Sequence, residues 1–479
     1  MILRDILYGV PVLETNAEPD ADVKDVVNNS DKTTPGALFC AYRGEHKNGE
    51  EYIKDALDRK GIIVSEHKPE CGCKYITVPD AKAAYAELCA NLYDAPQKKL
   101  RLFAVTGTNG KTTTTSMLYH VITKIKGEKS AVLIGGVGNI VSGVSHRSTQ
   151  TTPDPHELYR YLSEGVRSGA DYGVLEASSH ALDYKKLVPC RFVAGAMTNL
   201  TEDHLDYHKT LDNYFNSKKQ LIPLCDKFVS NGDDVYTKRI DCPHFSLYDG
   251  DFTAKITRLD KNGAEFVYHG MKSAVCKIGV CGKFNVYNAL TALCLAELAG
   301  FDVKDASSAL SSFDAVAGRF EMHKSKNGAD IIIDYAHTPD ALENALIACR
   351  QICRGRLICV FGCGGDRDRN KRRLMGAVSS RLADFTVITA DNSRSEDTAD
   401  IIKDILKGVD KNAVYTTEEN RKNAIIKALL TAKEGDTVLL AGKGHEDYEI
   451  DKNGTHPFSE ARIIKDFNCG GNRNGNNDI

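Results

Sequence analysis

The sequence has no excess of either charge. Its 62 lysines and arginines nearly balance 65 aspartates and glutamates, for a formal net charge of −3. That balance supplies no general drive toward nucleic acid or an anionic membrane. No run approaches the roughly 20 apolar residues that cross a bilayer. The opening residues, MILRDILYGV, lack the basic start, apolar stretch and small-residue cleavage site of a secretion signal. Internal repeats and long low-complexity tracts are missing too. Cysteine is plentiful at fifteen residues, but the spacing is irregular and the chain long, unlike the short secreted scaffolds that disulfides staple. The tight pair Cys71-Gly72-Cys73 is closer than a zinc knuckle requires, and no second pair answers it. The expectation is a cytoplasmic protein with free, mostly buried thiols, no membrane insertion and no nucleic-acid partner.

What is present describes a globular α/β protein. At 479 residues, 42% hydrophobic and 27% charged, the chain is too long for one core and suggests about three domains. Residues 1–98 mix strand-like runs (ALFCA, GIIVS, YITV) with helices, one at 80–93, and Asp94-Ala-Pro-Gln-Lys-Lys reads as a linker. In 99–319 the run LRLFAV enters a glycine loop and a Thr-rich helix, and strands YGVLEA (172–177) and FVAGAMTN (192–199) follow. The helix before them has Asp154 as N-cap, Pro155 at its first position, and Leu158, Tyr161, Leu162 and Val166 on one face. Residues 253–269 read as a hairpin turned at Asn262-Gly263. In 320–467, strands IIIDYAH, RLICVFG, FTVITAD and TVLLAG alternate with helices near 340–353, 371–383, 398–409 and 418–433. The predicted architecture is a small N-terminal α/β domain, a central P-loop-type parallel sheet and a C-terminal Rossmann-like doubly wound domain. Ligands of such sheets lie beyond the carboxyl ends of the strands. The Gly/Asn-rich tail 468–479 is expected to be disordered.

The most informative loop is Thr106-Gly-Thr-Asn-Gly-Lys-Thr112, between a strand and a helix. Its glycines let backbone N–H groups approach phosphate oxygens, and the helix N-terminus adds positive potential. Lys111 would reach the outer phosphates and the Thr112 hydroxyl would ligate Mg²⁺. The common phosphate-loop pattern needs a glycine where this chain has Val105, so the general motif fails.

The form TGTNGKTTTT resembles that of the Mur ligase and folylpolyglutamate synthase superfamily. The resemblance continues through VLEASSHAL (174–182), TNLTEDHLDYH (198–208), YFNSK (214–218), GKFNVYNAL (282–290), GRFE (318–321), DYAHTPDAL (334–342), GCGGDRDRNKR (362–372) and GKGHEDY (442–448). It implies the peptidoglycan branch that adds a third residue to UDP-N-acetylmuramoyl-L-alanyl-D-glutamate. There, γ-phosphate moves from ATP to a carboxylate and an amine then displaces phosphate. Residues 1–98 would bind the UDP-sugar, 99–319 ATP, and 320–467 the amino acid, in a monomer using Mg²⁺.

Family matches then imply roles for single residues. Gly107, Thr108, Asn109, Gly110, Lys111, Thr112 and Thr113 would cradle the phosphates. Asn285 and Asn288 would lie near adenine, and Arg319, Asp334 and His337 near ribose and phosphates. Glu176 and His204, at or just after strand ends, would hold the metal with Thr112. Lys218 reads by itself as a solvated lysine on a polar helix. The resemblance implies instead a carbamylated metal ligand, and the Tyr214 spacing selects it over Lys219.

For the UDP-dipeptide the matches are Ser30, Thr151, Thr152, Ser178, Tyr184 and Lys186. Here the chain departs from pattern: Asn29-Ser30-Asp31 replaces DSR, Lys186 stands where arginine is usual, and Tyr184 where glutamine often is. Lysine keeps the charge but loses bidentate geometry. For the amino acid, Arg367, Asp391, Asn392, Arg394, Gly442 and Glu446 match a meso-diaminopimelate pocket. Asp391-Asn-Ser-Arg394 replaces DNPR, which loosens the loop but keeps the arginine that grips the distal carboxylate. Glu446 is available for the distal ammonium. The alternative acceptor is L-lysine or another diamino acid. Keeping Lys111, Thr112, Glu176, His204 and Lys218 together argues against a non-catalytic nucleotide-binding regulator. The second α/β unit and the amino-acid pocket argue against a nucleotide kinase, and DNSR with GKGHEDY against a folylpolyglutamate synthase or the next peptidoglycan ligase.

Overall fold

Short apolar runs alternating with helices resolve into three successive sheets in the computed structural model, which describes residues 1–44, 47–70, 72–148 and 150–470. The first has five strands in the order Glu14–Thr15, Tyr75–Thr77, Ile62–Ser65, Ala37–Ala41, Asp25–Val27, parallel except for the first pair. The helix Ala81–Leu92 starts at Asp80, whose side chain accepts the Ala83 N–H, and buries Ala84, Tyr85 and Leu88 against that sheet. In the expected linker, Asp94 and Ala95 both take left-handed backbone (φ 64° and 44°). The chain then passes through a short 3₁₀ turn, Pro96–Lys98, into the strand Arg101–Thr106.

That strand is central to an eleven-stranded sheet, flanked in parallel by Tyr172–Glu176 and Phe192–Met197. Its period-2 alternation feeds two cores. Leu102 and Ala104 pack with Leu158 and Leu162 of the helix Pro155–Arg167. Phe103 and Val105 pack with Met117 and Val121 of the helix Lys111–Lys126 and Leu290 of the helix Lys283–Leu298. A strand covered on both faces reads as an unbroken apolar run, as this one does. The Pro155–Arg167 helix has the predicted Asp154 cap and buries Leu158, Tyr161 and Leu162, with Val166 partly buried beside them. The hairpin is formed by Phe252–Asp260 and Gly263–His269, with Asp260 opposite Gly263. Its turn residues are therefore Lys261 and Asn262, one position earlier than the Asn-Gly pair suggested, because Gly263 already belongs to the returning strand. Because the parallel strands share one direction, Thr106, Glu176 and Met197 all end at one edge, where the glycine loop begins.

The third sheet runs Glu321–Lys324, Asp330–Asp334, Thr437–Ala441, Leu357–Phe361, Phe385–Thr389, Tyr415–Glu418, parallel after the first pair. The four predicted strands and four helices are all present. A buried ion pair anchors the last helix, Glu460–Asn468: Arg421 Nη2 donates to Glu460 Oε1 at 2.8 Å, and both side chains are fully buried. Arg421 also donates to the carbonyls of Ala390 and Ala441, closing the ends of two sheet strands. Arg421→Leu should destabilise this domain by about 3–5 kcal/mol, since it strands a buried carboxylate. Arg421→Leu/Glu460→Leu should recover much of that loss. Thermal unfolding monitored on the C-terminal domain checks both; a double variant no better than the single would contradict the pair's role.

In the tail, Asn468 ends this helix and its side chain bonds Lys324 O and Lys326 N; residues 471–479 lie outside the described residues. So does Cys71 of the tight pair. Nine of the described cysteines are free and buried, Cys40, Cys89 and Cys190 among them.

Candidate active site

Two glycines shape the loop after Thr106. A Cβ on Gly107 (φ 139°) would lie 1.9 Å from Thr198 Oγ1, and one on Gly110 (φ 86°) 2.4 Å from Asn288 Oδ1. Only glycine combines that backbone with that crowding. Lys111 opens the helix Lys111–Lys126 and folds back across the loop, donating to the carbonyls of Gly107 (2.9 Å) and Thr108 (2.8 Å). Burial lowers its pKa, opposed by the nearby charges of Glu176 and Asp203. Thr112 Oγ1 donates to Glu176 Oε2 at 3.0 Å, while Gly136 N–H holds Glu176 Oε1 at 2.9 Å. Glu176 is only 1% exposed, and burial raises its pKa against the pull of Lys111.

A hydroxyl facing a carboxylate is a hard-oxygen pair, and Mg²⁺ needs few protein ligands beside phosphates and water. These two residues fit such an ion. Among the described residues no group of three or more His, Cys, Asp or Glu gathers as a metal cage. His204 stands at the cavity wall with left-handed backbone (φ 54°), its ring half exposed and edge-on to His180.

Lys218 departs most from what its own sequence suggests. It is 1% exposed, donates to Gly107 O at 2.7 Å and lies 4.3 Å over the Tyr214 ring. Two lysines thus converge on one loop carbonyl. Burial, reinforced by Lys111, pulls the Lys218 pKa well below the ordinary lysine value.

The other residues matched to ATP in the sequence close around this centre. Asn288 Nδ2 donates to Asn285 Oδ1 at 3.1 Å, and Asn285 donates to Cys281 O. Arg319 crosses from the start of the third unit, donating to Thr112 Oγ1 at 3.3 Å over the Tyr335 ring; its Nε is buried without a partner. Asp334 accepts the Phe320 N–H at 2.7 Å, and His337 approaches Asp203 at 3.8 Å. Asn109 Nδ2 reaches Asp340 Oδ2 at 2.9 Å, joining the phosphate loop to the third unit. A cavity of about 680 Å³ is lined by Thr108–Thr113, Thr151, Glu176, His204, Asn285, Asn288, Arg319, Asp334, His337 and Glu446. Gly107 and Lys218 lie just beneath that lining.

The residues matched to the UDP-substrate form a looser set. Thr152 Oγ1 donates to Glu176 O at 2.7 Å, Ser178 caps the helix Ser179–Asp183, and Lys186 Nζ donates to Thr152 O at 3.2 Å. Ser30 opens a 3₁₀ turn in the first unit, two residues after Asn28, whose amide reaches Asp154 of the central unit at 3.0 Å. Tyr184 carries the Lys82 ammonium over its ring at 4.4 Å.

The amino-acid set lies at the strand ends of the third sheet. Asn392 Nδ2 donates to Glu446 Oε2 at 2.8 Å, and Gly442 N donates to Asp334 O at 3.0 Å. Arg394 is left-handed (φ 52°), an arrangement costly for a residue with a Cβ. Its side chain donates to Gly365 O at 2.8 Å and Asn392 O at 3.2 Å. Arg367 is exposed and borders the same Gly364 as Arg394. Three residues that sequence reasoning did not single out are built into the site. Burial alone would raise Asp203, yet His204 and His337 hold it well below the usual carboxylate range. His445 stacks against Tyr335 at 5.3 Å with Nδ1 buried and unpartnered. Lys443 is fully buried between Asp391 and Glu446. All three lie inside quoted motifs, which was the available signal.

Residues 105–296 match the Mur ligase middle domain, and residues 318–444 the Mur ligase glutamate ligase domain. A relative from Clostridium acetobutylicum, named UDP-N-acetylmuramoyl-L-alanyl-D-glutamate–2,6-diaminopimelate ligase 1, is 39% identical over 482 residues, covering 97% of this chain and 98% of its own. A Clostridium botulinum protein of the corresponding name is 38% identical, covering 98% of both. A solved structure of a UDP-N-acetylmuramoyl-L-alanyl-D-glutamate–2,6-diaminopimelate ligase superposes with a TM-score of 0.69 at 28% identity, over 98% of this chain and 99% of its own.

Proposed function

The chain belongs to the Mur ligase family, and from that premise we propose that it is the ATP-dependent ligase that joins meso-2,6-diaminopimelate to the D-glutamate carboxylate of UDP-N-acetylmuramoyl-L-alanyl-D-glutamate in peptidoglycan precursor synthesis. The carrying observation is that one cavity is walled by Lys111 and Glu176 from the central unit and by Glu446 from the third. Phosphate chemistry and amine delivery thus share one chamber. The reading divides the chain at 1–98, 99–319 and 320–467 and takes it as a cytoplasmic monomer. Among the described residues no helix is long and apolar enough to cross a membrane.

In this reading a substrate carboxylate oxygen attacks the γ-phosphorus of ATP. The bond to the ADP oxygen breaks, and an acyl phosphate forms. The amine nitrogen then attacks the acyl carbon, the C–O bond to phosphate breaks, and inorganic phosphate leaves. Bringing anion against anion is the main difficulty, so fixed positive charge and oriented N–H groups carry most of the effect. Lys111 exchanges its two loop carbonyls for phosphate oxygens, and Arg319 reaches the same point from the third unit. Mg²⁺, held by Thr112 and Glu176 with His204 and a carbamylated Lys218 at its margin, would supply further positive charge at the phosphates. Burial disfavours the charged form of the Lys218 amine, and the uncharged amine is the form that adds CO₂, which supports the carbamate. Asn285, Asn288, Asp334 and His337 orient the nucleotide. Thr151, Thr152, Ser178 and Lys186, with Ser30 and Tyr184, orient the UDP-dipeptide.

Supplying the protein with ATP, the UDP-dipeptide and either meso-diaminopimelate or L-lysine should yield a ligated product with diaminopimelate, together with ADP and phosphate. Ligation of lysine alone would overturn the acceptor assignment and favour the lysine-adding alternative.

A further inference from the structure

Lys443 is a charged residue with no solvent exposure, and the reaction steps above make no use of it. Its Nζ donates to Asn392 Oδ1 at 2.8 Å and to Tyr448 O at 3.0 Å. Asp391 Oδ1 and Glu446 Oε2 each stand 3.8 Å away. Asn392 Oδ1 also accepts the Ile450 N–H at 3.0 Å. Both of its partners can only donate, so the Asn392 oxygen must face them and its NH₂ must face Glu446 Oε2, 2.8 Å away. The Arg394 N–H donates to Ile450 O at 3.0 Å. One ammonium therefore ties the 391–394 loop to the hairpin Tyr448–Asp451/Gly454–Pro457 and orients the amide that holds Glu446.

The charges give the same reading. Asp391 and Glu446 both face Lys443 at close range, while Arg421, the other buried cation acting on Asp391, is paired with Glu460. Three carboxylates thus share two cations, which leaves one negative charge for an incoming ammonium. Without Lys443, two buried carboxylates would face each other, and the Asn392 amide would be free to flip its NH₂ away from Glu446.

We propose that Lys443 is a positioning residue that presets the geometry and charge of the amino-acid subsite through Asn392 and Glu446. This rests on the ligase reading above and goes beyond it by assigning the internal cation. Lys443→Met keeps the aliphatic stem and removes the charge. It should raise the KM for diaminopimelate by about 30-fold, the loss typical of a hydrogen bond to a charged group, with the KM for ATP unchanged. Asn392→Asp retains an acceptor for Lys443 but offers Glu446 no donor, and should raise the same KM selectively. The double variant should cost little more than either single change, because both interrupt one relay. Equal increases in the KM for ATP and for diaminopimelate would show that Lys443 only supports the fold and would overturn the proposal. So would an unchanged diaminopimelate KM in Lys443→Met. If that variant does not fold, Asn392→Asp decides, and an unaltered diaminopimelate KM there overturns the relay. The unmutated chain is the control for the underlying reading: its failure to ligate diaminopimelate would sink the ligase assignment, separately from Lys443.

Discussion

Lys111→Ala should reduce ligation and ATP-dependent phosphate release together, by at least about 10³-fold, because it deletes the fixed cation at the point where phosphoryl charge builds up. The structure sharpens this expectation. The Lys111 ammonium lies among Glu176, Asp203 and Arg319, and Thr112 Oγ1 takes bonds from both sides of the cavity. Lys218 does not substitute for it: that side chain donates to Gly107 O from its buried position and is outside the cavity lining. Product formation and phosphate release, measured at saturating ATP, should fall in parallel. Normal turnover of either would contradict the assignment of Lys111. Retained phosphate release without ligation would place it on amine delivery instead.

Arg394→Ala is the second large effect. It should raise the KM for diaminopimelate by about 100-fold or more, the loss expected when one partner of a desolvated charge pair is truncated, and leave the KM for ATP unchanged. Arg394→Lys should recover only part of the loss, because a point charge replaces a fork. Two features support a specific role. The residue keeps an unfavourable left-handed backbone, and among the described residues its guanidinium donates to the carbonyls of Gly365 and Asn392. A substrate carboxylate would be a stronger partner than either. Steady-state kinetics with each substrate varied separately is the measurement, and equal losses for both substrates would contradict the role. In the same assay, L-lysine should gain relative to diaminopimelate, since Arg394→Ala would remove the proposed partner of a distal carboxylate.

Much of this molecule is legible locally. The run LFAV is buried on both faces and lies mid-sheet. Asp154-Pro155 starts a helix where an acceptor side chain followed by proline should. Motif spacing placed Lys111, Thr112 and Glu176 at adjacent strand and helix ends, because parallel strands in one sheet bring their carboxyl ends to one edge. The hairpin was located correctly but its turn was not, since an Asn-Gly pair marks a turn by propensity while pairing register decides which residue returns first.

The amino-acid sequence by itself determined the α/β layering, the phosphate loop and the residue types available for ATP and for a diamino acid. These depend on period, caps and short-range spacing, which are local properties of the chain. Only the tertiary structure decided the state of three cations. Lys218 follows a polar helical pattern yet is buried under the phosphate loop. Arg421 lies at the start of a helix and closes the ends of two distant strands. Lys443, between two glycines in a motif, is the internal counterion of Asp391 and Glu446. Burial of a charge is set by what lies opposite in space, including partners 20 to 111 residues away, and no local pattern encodes those partners.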